Sequence, residues 1–400
     1  MNMYKNIHTT VSAAIVTTIT LLSSSTLAAG PSGIDGEHKR AGQASIDLAI
    51  EYLSSRQHMQ TLGWDDDPDF LALPAITGLI VDGLMLDPRI DQNHPMVTQG
   101  VRYILKYAKE DGSIHGGTLP SYNTAICLSA LSRVNNPQAL DAVIAGQGFL
   151  KSLQYSNINT KNPNDPGFDE PISISHPYFG GVGYGKHGRP DLSNLSFFIQ
   201  ALHDTGVSAE DPAFQRAQIF LSRVQMLDSV NDMPYADDSS QGGFIYATVP
   251  DLESVDGKAG QSQAGDIVET TESGDELTRL RAYGSMTYAG FKSLIYANLD
   301  PDDPSLTNAW AWIEDNYTLE ENPGLDQQGY YYYLATMARA LDAYGVDEVN
   351  GHNWREEMID KIISLQWENG AFKVLSPRWM ENNDILITAY ALIALQHAVH

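Results

Sequence analysis

Cysteine is nearly absent: the 400 residues hold one, Cys127. No intramolecular disulfide can form, so the fold must rest on its core. Cys127 stands in the apolar run Ala125-Ile126-Cys127-Leu128, where a small buried hydrophobe is the expected role. Basic residues are also scarce, with 24 Lys and Arg against 50 Asp and Glu, for a formal net charge of −26. That balance disfavours nucleic acid and anionic membrane surfaces as partners. Beyond the N-terminus no apolar run is long enough for a transmembrane span. His115, His176, His187 and His352 are scattered, and no pair has metal-ligand spacing. Neither a metal nor a cofactor is expected.

The N-terminus has its own pattern. Lys5 and His8 precede the short apolar run Val11 to Leu22, and Thr26-Leu27-Ala28 offers a small-x-small cleavage site. A run of about twelve residues is too short for an ordinary membrane-spanning helix. Residues 1–29 are therefore expected to be a cleaved signal peptide, with the mature chain periplasmic or secreted.

What the remainder has in quantity is a repeat. One kind of segment carries an apolar pair, then Leu or Val, then Gln: Ala49-Ile50…Leu53…Gln57, Phe149-Leu150…Leu153-Gln154, Phe220-Leu221…Val224-Gln225 and Ile362-Ile363…Leu365-Gln366. Tyr103-Ile104-Leu105 and Trp310…Ile313 are degenerate copies. Apolar positions three and four apart mark amphipathic helices. The second kind is apolar on more faces: Leu73–Leu86, Tyr122–Leu131, Leu192–Leu202, Tyr283–Tyr296, Tyr331–Leu341 and Ile385–Leu395. Such helices are buried. Six half-buried helices alternating with six buried ones predict two concentric rings, an all-α (α/α)6 toroid around a central cavity. A repeat cannot bury its own face, so the set must stack or close.

Glycine-aromatic loops join each outer helix to the inner one that follows, as in Gly63-Trp64, Gly180-Gly181-Val182-Gly183-Tyr184, Gly242-Gly243-Phe244, Gly329-Tyr330 and Gly370-Ala371-Phe372. Glycine permits a tight turn with positive φ, and the aromatic can wedge between hairpins. Two insertions break the rhythm. Tyr155–His176 is rich in Asn, Pro and Asp, and Asp251–Asp275 is acidic and reads as a flexible surface loop.

Gly148-Phe149-Leu150…Gln154 resembles the Gln-Trp repeat of squalene and oxidosqualene cyclases. Gly243-Phe244…Tyr283–Gly290 and Gly329–Tyr333 resemble repeats shared with protein prenyltransferase β subunits. The chain is most similar to secreted bacterial proteins with prenyltransferase/squalene-oxidase repeats, over about residues 42–398. The resemblance implies a single toroid domain whose cavity takes an isoprenoid or other lipid, a small hydrophobic ligand.

The chemistry carries over less directly. Class II cyclases protonate an alkene with an aspartic acid of a Pro-Asp-x-Asp-Asp motif at the start of an inner helix. The matching positions here are Pro190-Asp191-Leu192-Ser193-Asn194, with Ser193 in the donor's place. A zinc prenyltransferase is not expected, because Cys127 lies away from the position of the family's zinc cysteine. Asp69, Asp191 and Asp384 are the candidate acids, and each also suits a helix N-terminus. The run Asp65-Asp66-Asp67 can also supply oxygen ligands to calcium. If inner-helix N-termini gather at one mouth, they bring together Tyr122, Asn194, Tyr283, Tyr288, Tyr331, Tyr332 and Tyr390, with Arg189, Arg281, Arg378 and Trp379 beside them. Arginines at helix starts can hold an anion, and aromatics can line an apolar slot. Two other classes stay open. One is a non-catalytic binding or scaffold toroid. The other is a carbohydrate-active toroid, which needs two carboxylates about 5–10 Å apart in a polar cleft.

Overall fold

The computed structural model describes residues 33–64, 72–157, 171–185, 189–248, 260–271 and 273–400. Residues 1–29, Asp65-Asp66-Asp67, Asp69 and His187 lie outside the described residues.

Helices alternate as the periodicity predicts. The outer ones are α1 (Gly36–Arg56), α3 (Pro95–Leu105), α5 (Pro137–Ser152), α7 (Pro212–Val224), α9 (Pro304–Asp315) and α11 (Trp354–Leu365). The inner ones are α2 (Pro74–Met85), α4 (Pro120–Ser132), α6 (Leu192–Asp204), α8 (Gly284–Tyr296), α10 (Tyr330–Tyr344) and α12 (Asp384–Val399). Each inner helix packs against the next, and α12 packs back on α2, so the inner ring closes. The chain ends are joined outside it as well, because α1 packs against both α11 and α12. The architecture is an α/α toroid.

Helix starts are fixed locally. Asp211, Asp303, Asn136 and Asn383 cap their helices by accepting hydrogen bonds from first-turn amides. Proline occupies the first turn of α2, α3, α4, α5, α7 and α9, where its missing N–H costs nothing.

The recurring glutamine and glycine have one joint function. Gln154 Nε2 donates to Gly180 O and to Ala213 O, both at 2.9 Å. Gln225 Nε2 donates to Gly242 O and Ser305 O, both at 2.8 Å. Gln366 Nε2 donates to Ser45 O at 3.0 Å and Gly370 O at 3.2 Å. Each glutamine thus ties its own glycine loop to the start of the next outer helix, or, for Gln366, to the middle of α1. Gly180 and Gly370 have φ of +84° and +86°, and a Cβ at either would strike a main-chain carbonyl of that neighbouring helix. Gln366 thereby closes the circle between α11 and α1.

Short antiparallel strand pairs lie in the connections between helices: β1 (Ala247–Thr248) with β2 (Gly260–Gln261), β3 (Asp266–Thr270) with β4 (Glu276–Leu280), and β5 (Glu348–Val349) with β6 (His352–Asn353). The described part of the acidic insertion is therefore a paired hairpin where the sequence predicts an irregular loop. Tertiary contacts hold it: Glu269 of β3 accepts from Ser239 Oγ at 2.9 Å, Ser240 N at 3.0 Å and Gln241 Nε2 at 2.7 Å.

Candidate functional site

The N-terminal ends of the inner helices converge on a central cavity of about 430 Å³. Ile76 of α2, Tyr122 of α4, Ser193 and Phe197 of α6, Met286 of α8, Tyr332 of α10 and Leu386 and Tyr390 of α12 form its wall. Tyr184, Tyr246, Tyr283, Trp379, Met380 and Glu381 come from the loops between them. The rings meet edge-on: Tyr122 and Phe197 lie 5.2 Å apart at 88°, Tyr332 and Tyr390 5.9 Å apart at 63°. Such contacts stiffen an apolar slot.

Asp191 is buried and caps α6. Its carboxylate accepts from Asn194 N at 2.9 Å and from Asn194 Nδ2 at 2.8 Å. Burial raises its pKa to about 6, against the opposing pull of those bonds and of Arg189. Asn194 is thus spent on Asp191 and on Ser121 Oγ, and does not line the cavity. Ser193, in the place of the cyclase donor, does face the cavity, 3.4 Å from the Tyr332 hydroxyl.

A carboxylate that the sequence reading missed completes the wall. Glu381 is 1% exposed and lies just before α12. Its Oε1 accepts from Tyr332 N at 2.9 Å, at the N-terminus of α10. Its Oε2 is buried with no hydrogen-bond partner among the described residues. Burial raises the Glu381 pKa to about 7, although the nearby amides at the start of α10 favour the charged form. The local sequence Met380-Glu381-Asn382-Asn383 looks like an exposed loop, and nothing in it signals burial.

Asp384, three residues later, corrects the sequence expectation. Asn383 takes the capping position of α12, which leaves Asp384 exposed on the first turn and outside the cavity. Tyr288 and Tyr331 are likewise outside the lining. Tyr288 packs on Tyr333 at 5.7 Å, and the Tyr331 hydroxyl donates to Lys373 O at 2.7 Å. Both are core residues.

The three arginines gather around the segment 261–264 at the mouth. Arg189 lines the cavity, donates to the Gln261 side chain and lies over Tyr246. Arg378 stacks on Trp379 at 4.1 Å and donates to Gln263 Oε1 at 2.7 Å and to Gln328. The Arg281 amide bonds Gly265 O at 3.0 Å, and its side chain is exposed and does not line the cavity. Among the described residues, none of the three pairs with a carboxylate, although the chain is strongly acidic.

The opposite end of the ring is closed by charge. Asp82 of α2 binds Arg133 and, at 2.5 Å, Arg339 of α10. Lys292 of α8 is buried beside Phe197 and donates to Gln200 Oε1 at 2.6 Å. None of these charged residues lines the cavity. Among the described residues, one group with metal-ligand spacing occurs, Asp35, His38 and Glu356, at the starts of α1 and α11 and away from the cavity. No described helix is long and apolar enough to cross a membrane.

No protein-family model and no curated protein matches the chain. Solved structures do. A variant of the type II terpene cyclase MstE from Scytonema, in complex with geranylgeranyl dihydroxybenzoate as substrate, is similar at 14% identity and TM-score 0.54, covering 91% of this chain and 98% of that one. An α-1,6-mannanase of glycoside hydrolase family 76 from Salegentibacter is similar at 8% identity and TM-score 0.55, covering 90% and 98%. An α-amylase from Clostridium perfringens is similar at 11% identity and TM-score 0.51, covering 88% and 97%. At these identities the likeness shows the α/α-toroid fold, which hosts both cyclase and carbohydrate chemistry.

Proposed function

We propose that this toroid is an exported protein that binds an isoprenoid or related lipid in its central cavity, as the resemblance to prenyltransferase/squalene-oxidase repeat proteins implies. The observation that carries the reading is the cavity wall, made of edge-packed tyrosines, Phe197, Ile76, Met286 and Leu386. A wall of that kind recovers free energy from an apolar chain. The arginines at the mouth suit a polar or anionic end of the same molecule. A carbohydrate-active reading fits less well, because Asp384, one of its candidate carboxylates, lies outside the cavity.

The reading separates binding from cyclisation. Ser193 cannot protonate an alkene, and Asp191 is committed to capping α6. Binding is the activity this geometry supports.

Solvent extraction of the purified mature protein, followed by mass spectrometry, is the direct test. A stoichiometric polyprenyl or triterpene lipid is the expected result. An empty protein that also fails to bind squalene or geranylgeranyl diphosphate sinks the lipid reading.

A further inference from the structure

Glu381 is a buried acid in a wall made mostly of aromatic and aliphatic side chains. One oxygen is held by the α10 N-terminus and the other has no partner among the described residues. Buried polar atoms are rarely left so, and an orphan at a cavity wall points to a ligand group that completes it. Ionised, the free oxygen can only accept; neutral, it donates. Tyr122 and Tyr390 are hydrogen-bonded to each other across the slot, and the Tyr331 hydroxyl is spent on Lys373 O.

We propose that neutral Glu381 donates a hydrogen bond to an acceptor oxygen on the bound lipid, so that the cavity selects an oxygenated isoprenoid, such as a ketone or epoxide, over the hydrocarbon of the same skeleton. This rests on the lipid-binding reading above. Glu381 is here a specificity-determining residue, and no bond to carbon is made or broken.

The selectivity is pH-dependent. Burial holds the carboxyl neutral up to about pH 7. A ligand that accepts its proton binds the neutral form more tightly, so its affinity is greatest below pH 7 and falls as pH rises through it. At pH 8.5 about 3% of the protein still carries the proton, so the ketone loses the hydrogen bond and with it the preference over the hydrocarbon. The groups facing Glu381 are Tyr331 and Tyr332 of α10 and Tyr390 of α12, with Tyr122, Tyr283 and Asp191 further around the wall and Arg378 and Asp384 on its own segment. The pKa values of the tyrosines among them are raised by burial, so they stay neutral throughout. Asp191 titrates lower, near 6.

The test uses the full mature chain, farnesylacetone, and the hydrocarbon in which its carbonyl is replaced by CH2. Binding is followed by tryptophan fluorescence, since Trp379 lines the cavity. At pH 6 the ketone is expected to bind about 3- to 10-fold more tightly than the hydrocarbon. At pH 8.5 the preference disappears, and hydrocarbon binding is unchanged. Glu381→Gln keeps a neutral N–H donor and is expected to keep the ketone preference at both pH values, whereas Glu381→Leu loses it at both. Equal binding of the two probes at pH 6, or a wild-type preference that persists at pH 8.5, overturns the proposal and leaves the lipid reading standing. Failure of both probes to bind overturns the lipid reading and the proposal with it.

Discussion

Replacing Gln154 with alanine removes the tie between one glycine loop and the next outer helix. Gln154 is 2% exposed, so water does not readily replace its side chain. The substitution deletes two N–H···O bonds and leaves Gly180 O and Ala213 O buried without that donor. It also deprives Arg216 Nε of an acceptor at 2.8 Å. Arg216 is only half-buried and can turn to solvent, so it adds little. Two buried hydrogen bonds lost at about 1.5 kcal/mol each give about 3 kcal/mol. An unfolding entropy of about 2.1 cal/mol/K per residue over a chain of this size makes that about 4 °C in Tm. Gln154→Glu is nearly isosteric but has no donor and sets a carboxylate against two carbonyl dipoles. It should be at least as damaging as alanine, even with Arg216 beside it. Gln138→Ala, on an exposed face of α5, is the control and should shift Tm by less than about 1 °C. Calorimetry at a fixed scan rate compares the four proteins. If Gln154→Ala melts within about 1 °C of the parent, the carbonyls have been rewetted and the glutamine does not hold the ring together.

The charged end of the inner ring gives a second prediction. Although burial opposes ionisation, Arg133 and Arg339 hold the Asp82 carboxyl far below the usual range, and Asp82→Asn leaves both with a weaker partner. A loss of about 3–5 kcal/mol is expected from urea midpoints, and less than additive loss when combined with Arg339→Leu. Burial lowers the Lys292 pKa to about 7, so the unfolded chain binds the extra proton between pH 7 and about 10.5. Its presence makes stability rise with pH over that window, and Lys292→Met should flatten that slope in urea titrations at successive pH values. Burial likewise pushes the Cys127 thiol up, so iodoacetamide at pH 8 should leave the native protein unlabelled and react fully only in denaturant. Rapid native labelling would show that α4 opens locally.

The sequence by itself determined the rings. Apolar positions three and four apart, helices apolar on every face, and a glutamine followed by a glycine loop are constraints of the backbone and of burial, and each is satisfied within one or two neighbouring repeats. All six predicted inner helices appear within a few residues of their expected bounds, and Tyr122, Tyr283, Tyr332 and Tyr390, which stand near inner-helix starts in the sequence, line the cavity. Which acid enters that cavity is another kind of fact. Glu381 and Asp384 sit three residues apart in one polar stretch, yet one is buried against the α10 N-terminus and the other is in solvent. Asn383 decides it by capping α12 and fixing where the helix begins. The wall that buries Glu381 comes from helices far apart in the chain, α4, α6, α8 and α10 among them, together with its own loop. Desolvation is a property of that whole assembly, so no local pattern encodes it, and only closure of the ring turned an ordinary loop glutamate into a buried acid of the cavity wall.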